Sequence, residues 1–251
     1  MSPELADILE QAYDTFGSYT VSKPLDVCTA CCVVPEQERL LLNPRVREIP
    51  FSTLDVWNHA AKTATPSLTE FKHFLPRMLE MVACLEFSSV SPELTLKSFN
   101  YYSQEDWSAA EREVLNTFAR AHLRYCLSLY PLTNLNIPID EILMMYWPAP
   151  IEISGLLEVW EDADSLNAMR HFAEFVYQNL EASPPPPSQN PFMDQELHRM
   201  LVKWATKDQS LVFFSERLER FILSEHEIDE RIRAELSSAL DCLLWADAPK
   251  S

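Results

Sequence analysis

The chain has 251 residues with 38 acidic and 20 basic side chains, a net charge of −18 that repels nucleic acid and anionic membrane and draws basic partners at a salt-dependent rate. Its hydrophobic content of 47%, with 11% aromatics, excludes wholesale disorder, and the length suits one large or two modest cores. The two glycines, Gly17 and Gly155, are far apart, which excludes the P-loop and dinucleotide loops that need glycine where the backbone meets a phosphate.

Helical periodicity dominates the predicted elements. Ser2 caps and Pro3 opens a helix over 3–16, with Leu5, Ile8, Leu9, Ala12, Tyr13 and Phe16 on its apolar face. An irregular stretch, 17–34, holds Cys28, Cys31 and Cys32, and weak strand signals sit at Thr20–Val21 and Val33–Val34. Short helices follow from Pro35 to Leu42 and from Ser52 to about Lys62. Ser67 with Glu70 reads as a capping box for a helix over 68–86, where Pro76 predicts a kink or break. Ser91-Pro92-Glu93 starts a short helix to Tyr102, and Ser103 caps a long one to Leu129. The middle segment predicts helices at 140–146, 151–161 and 165–180. Ser183 to Pro191, with four consecutive prolines, cannot be helical and predicts an extended connector. Helices at about 192–206, 210–223 and 228–245 complete the chain.

The fold class expected is mainly α, an irregular multi-helix bundle in two lobes. Residues 1–130 form the N-terminal lobe with the cysteine cluster. Residues 131–251 form the acidic C-terminal lobe with the connector at 183–191. No run of about 18 apolar residues occurs, so no membrane span is expected. The opening residues carry no export signal, six cysteines then read as thiols, and a cytoplasmic location follows as the expectation.

The sharpest local motif is Cys28-Thr29-Ala30-Cys31-Cys32. Cys28 and Cys31 have the C-x-x-C spacing by which two thiolates grip zinc, and Cys32, His59, His73 and Cys84 are the candidates to complete a ligand set. The bland alternative is a set of small thiols packed at the edge of a helical core. His122, His171, His198 and His226 lack a partner at metal-ligand spacing, and no nucleophile signature is present, so no catalytic residue and no enzyme activity is expected.

Charge is denser in the middle of the chain. From Asp140 to Glu181 there are nine acids against Arg170 alone. By halves, residues 1–125 hold 17 acids and 11 bases, and residues 126–251 hold 21 and 9. Aromatics interleave with these acids, so the expected partner-binding surface is Glu152, Glu158, Glu161, Asp162 and Asp164, with Trp147 or Trp160 as an anchor beside Tyr146. The expected partner is a basic protein, with no cofactor beyond the zinc alternative.

Residues 26–80 resemble a group of bacterial helical proteins. The resemblance rests on the cysteine cluster, on Leu41, Leu42, Pro44 and Arg45, on Trp57, and on the block Phe71-Lys72-His73-Phe74-Leu75-Pro76-Arg77 with Leu79 and Glu80. In size, helicity and acidity the chain also resembles the immunity proteins of bacterial toxin systems, including type VI secretion. That resemblance implies an inhibitor that binds a co-encoded toxin, such as a nuclease with a basic groove. The alternative is a zinc-stabilised adaptor that uses Cys28 and Cys31.

Overall fold

The computed structural model describes residues 1–43, 45–62, 66–134, 137–180, 188, 190–224 and 228–247. Among these there are eleven α-helices, linked by turns and short 3₁₀ segments, and no strand. The fold is all-α and multi-helical, as the periodicity predicts. Thr20–Val21 and Val33–Val34 are irregular. Most of the connector at 183–191 lies outside the described residues. No described helix is long and apolar enough to cross a membrane.

In chain order the helices are α1 Pro3–Phe16, α2 Pro35–Leu41, α3 Phe51–His59, α4 Leu68–Ala83, α5 Ala109–Leu127, α6 Ile139–Tyr146, α7 Ile153–Asp162, α8 Leu166–Leu180, α9 Gln195–Ala205, α10 Asp208–Ile222 and α11 Glu230–Asp247. They fall into two compact units: residues 1–122 with 145–152, and residues 123–144 with 153–251. The division runs inside α5 and α6 rather than at residue 130 or in the proline tract. Counted by unit, the first holds 18 acids and 10 bases and the second 20 and 10, so the excess is −8 against −10. The steep asymmetry between the halves of the sequence is almost gone.

In the first unit, α4 is the central element, with α1 and α3 packed against it. Ser67 accepts the Glu70 N–H at 3.2 Å and starts α4 as its sequence indicates. The helix continues unbroken through Pro76, whose ring nitrogen has no hydrogen to give the preceding turn. It ends in a Schellman arrangement: Leu85 N–H donates to Val82 O at 2.9 Å and Glu86 N–H to Met81 O at 3.0 Å. Glycine usually fills the left-handed position of such a cap. Here Leu85 takes it, with φ 58°, in a chain that has two glycines to place. Around α4 the rings of Trp57, Phe71, Phe74, Phe99 and Trp107 interlock, with Trp57 4.7 Å from Phe74 and Phe71 edge-on to Phe99 at 4.9 Å.

In the second unit α8 packs along α11, and α10 packs on both. Its centre is aromatic too. Phe172 stacks on Phe214 at 3.7 Å, and Trp160 lies 5.1 Å from Trp204, which meets Phe214 at 5.4 Å. The stripe Ile153, Leu156, Leu157 and Trp160 faces this core from α7, at the i, i+3, i+4, i+7 spacing of an amphipathic helix.

Candidate functional site: the three-thiol loop and the acidic helix

Residues 28–32 form a single helical turn. The Cys28 carbonyl accepts the N–H groups of Cys32 at 3.3 Å and Val33 at 3.1 Å. One turn places positions i, i+3 and i+4 on one face, so Cys28, Cys31 and Cys32 converge. The Sγ atoms of Cys28 and Cys31 are 3.3 Å apart and those of Cys31 and Cys32 3.6 Å apart, and all three lie within 4.8 Å of one another. Both ends of the turn are anchored, because Leu25, Val27 and Val33 are buried and Cys28 N–H donates to Ala61 O at 2.8 Å. The sulfurs stay accessible: Cys31 is exposed, and Cys28 and Cys32 are half-buried.

Position separates the thiols chemically. Cys28 Sγ receives the Cys31 thiol and the backbone N–H groups of Cys31 and Ala30, which draw its pKa down to about 7. Cys31, the donor to Cys28 and Cys32 and the neighbour of developing negative charge on both, is pushed up to about 11. The turn therefore sets a thiol of lowered pKa, Cys28, against one of raised pKa, Cys31. The thiolate is the form that attacks electrophiles and binds metals.

Of the four candidates for a third ligand, the turn brings in Cys32. His59 is committed elsewhere, with Nε2 2.5 Å from Ser88 Oγ and Nδ1 accepting from Lys97 Nζ at 2.8 Å. His73 donates Nδ1–H to Tyr19 O at 2.8 Å. The cleft of about 120 Å³ beside it is lined by residues such as Tyr13, Phe16, Tyr19 and Val46 and, among the described residues, holds neither a carboxylate nor a thiol. Cys84 is exposed just past the end of α4.

The Phe71–Arg77 block is interior rather than a surface patch. Lys72, 3% exposed, pairs with Glu111 at 2.9 Å and donates to Asp106 O at 2.7 Å. Glu111 also accepts the Tyr19 hydroxyl at 2.8 Å and the Ser108 N–H at 2.7 Å, closing a capping box at the start of α5. Burial pushes its carboxyl pKa up. The Ser108 N–H, Lys72 and Tyr19 outweigh that and hold it below the usual range. Glu70, a local candidate to pair with Lys72, instead accepts Trp57 Nε1–H at 2.8 Å and Asp26 N–H at 3.0 Å. Arg77 pairs with Glu80 at 2.6 Å, as the helical spacing suggests.

The expected partner surface needs correction residue by residue. Trp160 and Tyr146 are fully buried, so neither can anchor a partner. Trp160 belongs to the aromatic core, and the Tyr146 hydroxyl meets His122 Nδ1 at 2.9 Å. Glu161 is an internal acceptor, taking Trp204 Nε1–H at 2.6 Å and the Ser210 hydroxyl at 3.3 Å. Asp164 is paired with Arg220, which holds its pKa below the usual carboxylate range. Trp147 is half-buried. Glu152, Glu158 and Asp162 are exposed. Glu152 and Trp147 belong to the first unit, whereas Glu158, Glu161, Asp162 and Asp164 belong to the second.

The second unit also has a groove of about 460 Å³ along α8 and α11, lined in part by Tyr130, Arg170, Glu174, Tyr177 and Glu235. Arg170 pairs with Glu235 at 3.0 Å and lies 3.9 Å over the Tyr130 ring, so its charge is already met within the protein. No family model, curated protein or solved structure matches the chain.

Proposed function

We propose that this protein captures a basic protein partner by charge, as an immunity-type inhibitor that occupies the cationic groove of a toxin such as a nuclease. The observation that carries this reading is how the chain disposes of its charges. At least ten Lys and Arg side chains, including Lys72, Arg77, Arg170 and Arg220, lie within 3.9 Å of the chain's own carboxylates. The acids outnumber the bases by 18, so internal pairing leaves a negative surface on both units.

The end of α7 supports the reading locally. Glu158 and Asp162 are exposed, one turn apart on the same face. Like charges at that spacing destabilise a helix by a few tenths of a kcal/mol, and acids near a helix C-terminus oppose its dipole. Arg217 meets the backbone end, donating to Glu161 O at 2.6 Å and Ala163 O at 3.2 Å, and its Nε lies 3.9 Å from Asp164. A Lys- or Arg-rich partner would bring opposite charge to this exposed edge.

The test uses the protein encoded by the adjacent reading frame, titrated against this chain at low and high salt. The reading expects tight binding that weakens with salt and weakens further with Glu158→Lys plus Asp162→Lys. No binding, or binding indifferent to both salt and charge reversal, overturns it.

A further inference from the structure

We propose that Cys28, Cys31 and Cys32 bind one zinc ion as a three-thiolate centre with an open fourth position. The inference is independent of the capture of a basic partner and rests on separate residues. Zinc bound tetrahedrally by sulfur at about 2.3 Å sets neighbouring sulfurs about 3.8 Å apart. The observed separations of 3.3 Å and 3.6 Å, with every pair inside 4.8 Å, lie within the reach of small side-chain rotations from that triangle.

Three features distinguish this turn from thiols that merely happen to be near each other. The backbone is fixed on both sides by buried Val27 and Val33 and by the Cys28–Ala61 hydrogen bond, so little ordering is required on binding. The Cys32 N–H bond to Cys28 O closes one turn that sets positions i, i+3 and i+4 on one face, so the three sulfurs converge by backbone geometry. The sulfurs lie at the surface of a strongly negative chain, where a cation has access and its local concentration is raised.

Among the described residues no fourth His, Cys, Asp or Glu joins the set. Structural zinc sites are closed by four protein ligands, and sites with three leave a position for water or an incoming donor. The turn belongs to the second kind. A donor atom from outside the chain, a thiol or imidazole above all, would complete the tetrahedron. Three thiolates on Zn²⁺ leave a net charge of −1, which adds to the field already present.

The experiment starts from full-length protein, reduced and stripped with chelator, then given Zn²⁺ alone and desalted before elemental analysis. The expected result is one zinc per chain, reduced at least tenfold in retention by Cys32→Ser as well as by Cys28→Ser, with Cys84→Ser unchanged. Co²⁺ in place of zinc should give the intense sulfur-to-metal charge-transfer absorption of thiolate ligation, and Cys31→Ser should diminish it. Circular dichroism of each variant separates ligand loss from misfolding, because the turn lies outside the helices. Zinc far below one equivalent overturns the proposal. So does full retention in Cys32→Ser, which would reduce the site to a C-x-x-C pair, and so does a Cys28–Cys31 disulfide that forms in the presence of Zn²⁺.

Discussion

Both units enclose an aromatic core, but they treat charge in opposite ways. The first unit takes an ion pair inside: Lys72 and Glu111 are each 4% exposed in their side chains, and Tyr19, Ser108 and Asp106 satisfy their remaining polar sites. The second unit holds its described ion pairs at the margin, where Asp164 faces half-exposed Arg220, and Glu161 there receives Trp204 and Ser210. A buried pair with every lone pair answered confers little net stability over an apolar substitute, yet it is expensive to half-remove. A marginal pair is cheap in both directions. The same acidic composition therefore gives one unit that is brittle to single charge changes and one whose surface carboxylates can be altered with little effect on the fold.

The largest effects test that contrast directly. Lys72→Met strands the Glu111 carboxylate and should cost about 3–5 kcal/mol by urea denaturation. Adding Glu111→Gln, which removes the stranded charge and keeps an acceptor for Ser108, should recover most of the loss. Phe214→Ala in the other unit should cost a similar ~3–5 kcal/mol through the cavity opened against Phe172 and Trp204, with no charge substitution able to restore it. If the Lys72 variant were no worse than a surface mutant, the account of the first unit would fail.

An intermediate effect probes the rim. Glu161→Ala should cost about 1.5–3 kcal/mol, because it leaves the Trp204 N–H without its charged acceptor, whereas Glu161→Gln should be close to neutral. Partner binding lost in Glu161→Gln with melting temperature unchanged would return Glu161 to the recognition surface.

Acid should weaken both units through buried histidines. Burial pushes His122 down to about 3 and lowers His171 and His198 as well. Between pH 3 and the unfolded value of about 6.5, the unfolded chain binds a proton at His122 that the folded chain refuses. Stability therefore falls as pH drops through that window, by roughly 1.4 kcal/mol per pH unit for that group, and is indifferent to it above pH 7. Melting temperatures from pH 4.5 to 7.5 should show this slope, and His122→Gln should flatten it. The smallest effect is expected at the margin, where Arg220→Ala should change stability by less than about 1 kcal/mol.

The helices were legible because their punctuation is local. Ser2 with Pro3, Ser67 with Glu70 and the apolar stripes mark elements that the structure reproduces within a few residues. The convergence of Cys28, Cys31 and Cys32 was legible too, since i, i+3, i+4 is one helical face. Reading only the C-x-x-C pair left Cys32 among four candidates. Trp160 was misplaced for a related reason. Its acidic neighbours suggested exposure, while its register with Ile153, Leu156 and Leu157 already placed it inside. The Lys72–Glu111 pair spans 39 residues, and no local pattern announces it. The unit boundary was equally hidden, because it runs through two continuous helices where composition does not change.

That boundary also has a consequence for the order of synthesis. Residues 145–152 belong to the first unit, yet the ribosome delivers them only after residues 123–144 of the second. They carry Tyr146, whose hydroxyl meets His122, and the Pro150 and Glu152 backbone groups that hold Asn116. A nascent chain that has finished residue 122 therefore has a first unit still missing a wall. It closes only once part of its neighbour has been made, so cutting the gene at either edge of that detour would leave an N-terminal product that lacks one of its own pieces.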